Sequence, residues 1–132
     1  MADKLHFDLV SPERRLMSEE VDQVDVPGAE GVFGVLPDHA PFMATLAPGV
    51  LTVKNAGAEK RIFVRGGFAE VTPAGLSVLA EEAVPVEELD AEAIARRIRE
   101  CEEDLADEDV TAETRRQAEQ ELRHLKEMQA AL

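Results

Sequence analysis

The sequence predicts an α+β chain: an N-terminal antiparallel β-sandwich, or flattened barrel, followed by a C-terminal antiparallel two-helix hairpin. Three observations carry this. Short apolar stretches with two-residue alternation recur at close spacing from about residue 1 to residue 84, with no helical period among them. All eight glycines and all seven prolines precede Val86. Beyond that point apolar residues repeat at steps of three and four, the period of one helix face. The expected division is therefore a sandwich over residues 1–86 and helices over 87–132.

In chain order, Leu5, Phe7 and Leu9 alternate with His6 and Asp8, the pattern of a half-buried strand. Pro12 and Glu13 turn it. Leu16, Val21, Val24 and Val26, spaced among acidic and amide residues, predict one or two further strands with a polar outer face and a bulge between Val21 and Val24. Residues 50–54 and 61–65 flank Asn55, Ala56 and Gly57 as a hairpin, and Gly66-Gly67 is read as the start of another tight reversal. Residues 68–72 and 76–80 complete the strands around Pro73 and Gly75. After Pro85, the stripe Ile94, Ile98, Cys101 and Leu105 defines a first helix, with Asp90 and Glu92 complementing its dipole. Asp107, Glu108 and Asp109 help to stop it. Thr111 or Asp109 caps a second helix, whose stripe is Ala118, Leu122, Leu125 and Met128 or Gln129, matched to the first for antiparallel packing.

Residues 27–49 read PGAEGVFGVLPDHAPFMATLAPG and hold four of the seven prolines and four of the eight glycines. Only short apolar pieces, 32–36 and 42–46, lie between these punctuators. Such density marks a shaped loop system that keeps its form without a large core and docks with little ordering cost.

Composition narrows the partner. The chain has 132 residues and a formal net charge of −14, which argues against nucleic acid and against adhesion to anionic lipid, since both require a basic face. A protein partner is expected. A single cysteine, Cys101, rules out an internal disulfide framework, and the opening MADKLHFDLV lacks the apolar core of a signal peptide, so a reducing cytoplasm fits. No apolar run approaches the ~20 residues that span a bilayer. Membrane association then runs through another subunit.

The stretches EGVFGVLPDHAPFMATLAPG, VRGGFAEV and LSVLAEEA, followed by two polar helices, resemble the epsilon subunit of F-type ATP synthases over nearly the whole chain. The most specific part is Glu30-Gly31, Gly34, Pro37, His39-Ala40-Pro41 and Pro48-Gly49, backed by Gly66-Gly67. The helical half matches more loosely. The resemblance implies a non-catalytic rotor subunit on the cytoplasmic face of a bacterial inner membrane. Its sandwich binds the gamma subunit and the c ring, and its helices restrain ATP hydrolysis by contact with alpha and beta subunits. It also implies that Ala29, Glu30, Gly31 and Val32 face the polar loops of the c ring, and that the turn of His39, Pro41 and Phe42 approaches gamma. Val32 stands where the family often carries an acidic or polar residue, so Glu30 is the alternative ionic partner. From Glu87 onward there are 15 acidic and 7 basic residues, a poor bulk match for the acidic region of beta, and inhibition is expected to be weak. Arg96, Arg97, Arg99, Arg115, Arg116, Arg123 and Lys126 form the candidate basic strips on the helices.

Some members of this family bind ATP on the folded hairpin through a segment reading Ile or Leu, Asp, two variable residues, Arg, Ala. This chain begins it with Leu89-Asp90, then carries Ala93 and Ile94 in place of Arg and Ala. No nucleotide and no cofactor are expected. Histidines 6, 39 and 124 lack metal-ligand spacing, and Cys101 falls on the helix seam, where a small buried hydrophobe outweighs a nucleophile. The Glu81-Glu82 and Glu102-Glu103-Asp104 runs read as solvated faces rather than acid/base pairs, and GAEGVFG has no phosphate-loop ending. Two other classes remain open at this point: a hydrolase, which would need a deep pocket of convergent titratable groups, and a free-standing adaptor or chaperone-like module.

Overall fold

The computed structural model describes residues 3–13 and 15–132. Met1, Ala2 and Arg14, which the sequence reading includes in the first domain, lie outside the described residues. The chain divides into two compact units, Met1–Glu87 and Glu88–Leu132.

The first unit is built from strands β1 (Leu5–Val10), β2 (Arg15–Val21), β3 (Gln23–Gly28), β4 (Gly31–Val35), β5 (Phe42–Thr45), β6 (Gly49–Asn55), β7 (Ala58–Thr72) and β8 (Gly75–Pro85). They form a single unclosed sheet in the order β2-β1-β8-β7-β6-β3-β4, with β5 added on β7. Two long strands fold this sheet into a sandwich. The first half of β7 pairs with β6, and its second half, Phe68 to Val71, pairs with β5. The first half of β8 lies parallel to β1, while its second half runs back along the start of β7. Each long strand therefore serves both layers. The alternating residues Phe7, Leu9, Val24, Val26, Leu51, Val64, Leu76 and Val78 meet between them at 2% exposure or less.

The Gly66-Gly67 reversal is a correction. Both residues have positive φ, 72° and 95°, yet β7 runs on through them, and its pairing with β8 keeps one register from Ile62↔Pro85 to Thr72↔Gly75. The two glycines bend the strand where it passes from one layer to the other. Between Val21 and Val24, Asp22 sits in a bend that separates β2 from β3, so both valines point inward despite their odd spacing. The Asp22 carboxylate accepts the Ala56 N–H at 2.8 Å and pairs with Lys4, which ties this bend to the β6–β7 turn.

The second unit holds α1 (Ala91–Ala106) and α2 (Ala112–Ala130), preceded by one 3-10 turn at Val86–Glu88. Asp90 caps α1, its side chain accepting from the N–H groups of Glu92 and Ala93, and Thr111 rather than Asp109 caps α2 through the N–H of Thr114. Ile94, Ile98 and Cys101 are buried on α1 and Ala118 on α2, with Leu105, Leu122, Leu125 and Met128 half-buried. Gln129 is exposed, so Met128 ends the seam.

Candidate docking surface

The loop system is fastened at its base and open at its tip. Pro27 and Gly28 are buried, the Ala47 N–H donates to the Pro27 carbonyl at 2.9 Å, and the Ala29 N–H donates to the Thr45 carbonyl at 2.8 Å. These bonds hold the β3–β4 turn against the end of β5. A side chain at Gly28 would meet the Gly31 carbonyl at 2.9 Å, so the tight turn requires glycine there. Ala29, Glu30, Gly31 and Val32 all lie exposed at its apex.

The second turn is fixed by local bonds. Asp38 takes a positive φ of 66°, which suits an aspartate, and the His39 N–H donates to the Leu36 carbonyl at 3.2 Å. The His39 Nδ1–H donates to the Ala40 carbonyl at 2.7 Å, and the ring lies 6.4 Å from that of Phe42. Phe42 in turn packs edge-on against Phe33 at 5.2 Å.

Phe42, assigned by sequence to the His39 turn, thus lines one shallow depression with Ala29, Glu30, Gly31, Val32 and Met43. His39 and Pro41 line a different one, with Lys4, His6, Glu20 and Thr72. Val32, Met43 and Phe42 are 73%, 58% and 48% exposed, and Leu36, just past the end of β4, is exposed as well. Sequence reading missed Leu36 and Met43. Their signal was apolar side chains at consecutive positions, Val35-Leu36 and Phe42-Met43, where alternation allows only every second one to face a core.

On the helices, two of the seven candidate cations are already engaged. Arg97 donates from Nε and Nη2 to both carboxylate oxygens of Glu121 at 2.7 Å, and pairs with Glu100 as well. Arg115 donates to the carbonyls of Leu105 at 2.8 Å and Asp107 at 3.1 Å, satisfying the end of α1. Arg96, Arg99, Arg116, Arg123 and Lys126 make no ion pair among the described residues, and all five are exposed. At the start of α1 the Asp90 carboxylate caps the helix and Ile94 is buried in the seam. Burial, followed by the Glu121 charge, pushes the Cys101 thiol up, opposite to the shift that activates a nucleophile. His6 bridges Asp8 and Glu20 at 3.1 and 3.2 Å. Among the described residues no three His, Cys, Asp or Glu side chains gather as a metal site.

Exposed apolar side chains on a braced, glycine- and proline-shaped rim, carried by an acidic chain, define a protein-docking module. The sequence matches the family described as ATP synthase, delta/epsilon chain, beta-sandwich domain over residues 4–86. It is 56% identical over 129 residues to the ATP synthase epsilon chain of Parvibaculum lavamentivorans, covering 97% of each chain. It is 50% identical over 133 residues to that of Mesorhizobium japonicum, covering 100% of this chain and 98% of the relative. A chain of the Euglena gracilis mitochondrial ATP synthase OSCP/F1/c-ring assembly superimposes with a TM-score of 0.81 at 28% identity, over 99% of this chain and 82% of that one. The chain belongs to the ATP synthase delta/epsilon family, as a non-catalytic central-stalk subunit of that membrane-bound complex.

Proposed function

We propose that this chain couples the catalytic sector to the c ring from the cytoplasmic face of the bacterial inner membrane. Residues 1–86 form the docking part, with Ala29, Glu30, Gly31 and Val32 against the c ring and His39, Pro41 and Phe42 toward the gamma subunit. The observation that carries this reading is the bracing of the rim: hydrogen bonds from Ala29 and Ala47 and the Phe33–Phe42 contact fasten its base. A coupling that transmits torque needs a stiff contact, and a prebraced rim loses little entropy when it docks. Residues 87–132 form the regulatory part, which restrains ATP hydrolysis by reaching alpha and beta subunits. Its free cations are Arg96, Arg99, Arg116, Arg123 and Lys126, while Arg97 and Arg115 hold the folded hairpin closed.

The test uses the reconstituted complex. Pro37→Gly, Pro41→Gly and Glu30→Lys should each lower the membrane-bound ATPase activity that is sensitive to blocking of the proton channel; unchanged sensitivity in all three variants would sink the assignment of the rim. Cutting the chain after Val86 should leave ATP-driven proton pumping intact and hydrolysis raised or unchanged. Loss of coupling would refute the division of labour.

A further inference from the structure

Phe33 touches both turns of the rim. It stands in β4 opposite Val26, half-buried against the core of the sandwich. A Cβ at Gly28 would come within 3.0 Å of its Cε1 and 3.2 Å of its Cδ1, so the ring rests on the bare backbone of Gly28 at the base of the first turn. The same ring meets Phe42 in an edge-to-face contact, with centroids 5.2 Å apart and planes at 80°. Phe42 in turn faces the His39 ring at 6.4 Å, tilted by 54°. Three rings thus run from the second turn to the first.

The backbone offers a poorer route between them. Among the described residues, the hydrogen bonds of the His39 turn stay within it, from the His39 N–H to Leu36 and from its Nδ1–H to Ala40. The first turn is tied to Thr45 of β5 through the Ala29 N–H, but β5 is itself paired with β7 from Phe42↔Val71 to Thr45↔Phe68. A strand held along its whole length passes no displacement from one end to the other, whereas rings in contact can. Phe42 is half open to solvent, so its ring keeps rotamer freedom, and Gly28 keeps the backbone freedom of glycine. A partner that pins Phe42 against Phe33 removes both freedoms, and the second partner then meets a turn already ordered.

We infer that Phe33 is a positioning residue that couples the two turns: occupation of the His39 turn by gamma orders the 29–32 turn for the c ring, and the reverse. This rests on the central-stalk reading above and adds how its two contacts communicate. Linkage between two binding sites is reciprocal, so each partner strengthens the other by the same factor. One edge-to-face pair supplies about two- to tenfold. Phe33 touches neither partner in that reading and acts only through Gly28 and Phe42.

The experiment follows the Ala29 amide, which exchanges when the first turn leaves Thr45, in the full chain with and without saturating gamma. In the unaltered chain gamma should slow this exchange about two- to tenfold. Phe33→Leu keeps an apolar side chain in β4 and removes the ring. It should still bind gamma, yet the slowing should vanish. In the same way, gamma should raise the affinity for a c ring reconstituted in lipid by that factor in the unaltered chain and leave it unchanged in Phe33→Leu. A purely structural role would speed exchange equally in the free and bound chains; the ratio would then survive the substitution and overturn the coupling. If Phe33→Leu does not fold, Phe42→Leu at saturating gamma reads the same ratio, and there too the slowing must vanish. Slowing that persists without the ring means that gamma covers the first turn itself or that β5 carries the effect, and either overturns the role of Phe33, as does an unaltered complex with no slowing. Failure of the unaltered chain to bind gamma at all would instead overturn the central-stalk contacts themselves.

Discussion

Alanine at Gly67 should unfold the sandwich, whereas alanine at Gly57 should not, although both glycines have positive φ. At Gly57, with φ 81°, a Cβ would meet nothing within 4 Å. Only the backbone penalty of about 1–2 kcal/mol remains, which lowers the melting temperature by roughly 4–8 °C per kcal/mol. At Gly67, with φ 95°, the same Cβ would lie 1.8 Å from the Leu79 carbonyl oxygen, 2.8 Å from its carbon and 3.1 Å from the Ala80 Cα. Relief to an ordinary C···O separation of about 3.3 Å needs a shift of about 1.5 Å. Neither side can yield. Leu79 is paired with Phe68 on one side and Val10 on the other, and the Gly67 carbonyl accepts the Leu46 N–H at 3.0 Å. The backbone penalty plus two or more broken, buried ladder bonds at about 1–3 kcal/mol each comes to at least about 3 kcal/mol. That is a large part of the about 5–15 kcal/mol that holds a domain together. The chain has no Trp and no Tyr, so unfolding is best followed in urea by the methyl NMR signals of Leu51 and Val78. If the two variants lie within about 1 kcal/mol of each other, the close passage of β7 over β8 is wrong.

Replacing Arg97 with Gln should open the hairpin more often and expose Cys101, speeding its alkylation in the full chain by about two- to threefold, because an exposed pair is screened. The Arg97 charge favours the thiolate, so its loss by itself would slow the reaction; a slower rate would refute the clasp. Asp22→Asn should lower stability at neutral pH. The Lys4 hydrogen bond, then the Ala56 N–H, hold the Asp22 carboxyl below its ordinary value. A depressed carboxylate contributes stability above its unfolded pKa and loses it as pH falls through the folded one. The difference between Asp22→Asn and the unaltered chain should therefore close on acidification below the ordinary carboxylate range, and a constant difference across pH would exclude the linkage. Asp8, lowered chiefly by the Ser18 hydrogen bond and then by His6, should show the same sign in an Asp8→Asn variant.

The sequence by itself determined the class of fold, most strand positions and the helix seam, because each rests on a local cause. Alternation, breaker residues and three-four spacing act within a few positions, and Asp90 and Thr111 cap helices through bonds to the next turn. Tertiary structure decided the rest. Gly66-Gly67 has the composition of a reversal, and only the continuous register with β8 makes it a bend inside one strand. The place of β4 at the end of the sheet was equally hidden, since it depends on which strands pair across the chain. Arg97 could be paired with Glu100 from sequence, three positions along one helix, but Glu121 is 24 residues away and becomes its partner only when the helices meet. Local pattern fixes what a segment is; pairing across the chain fixes which of its groups remain free to bind.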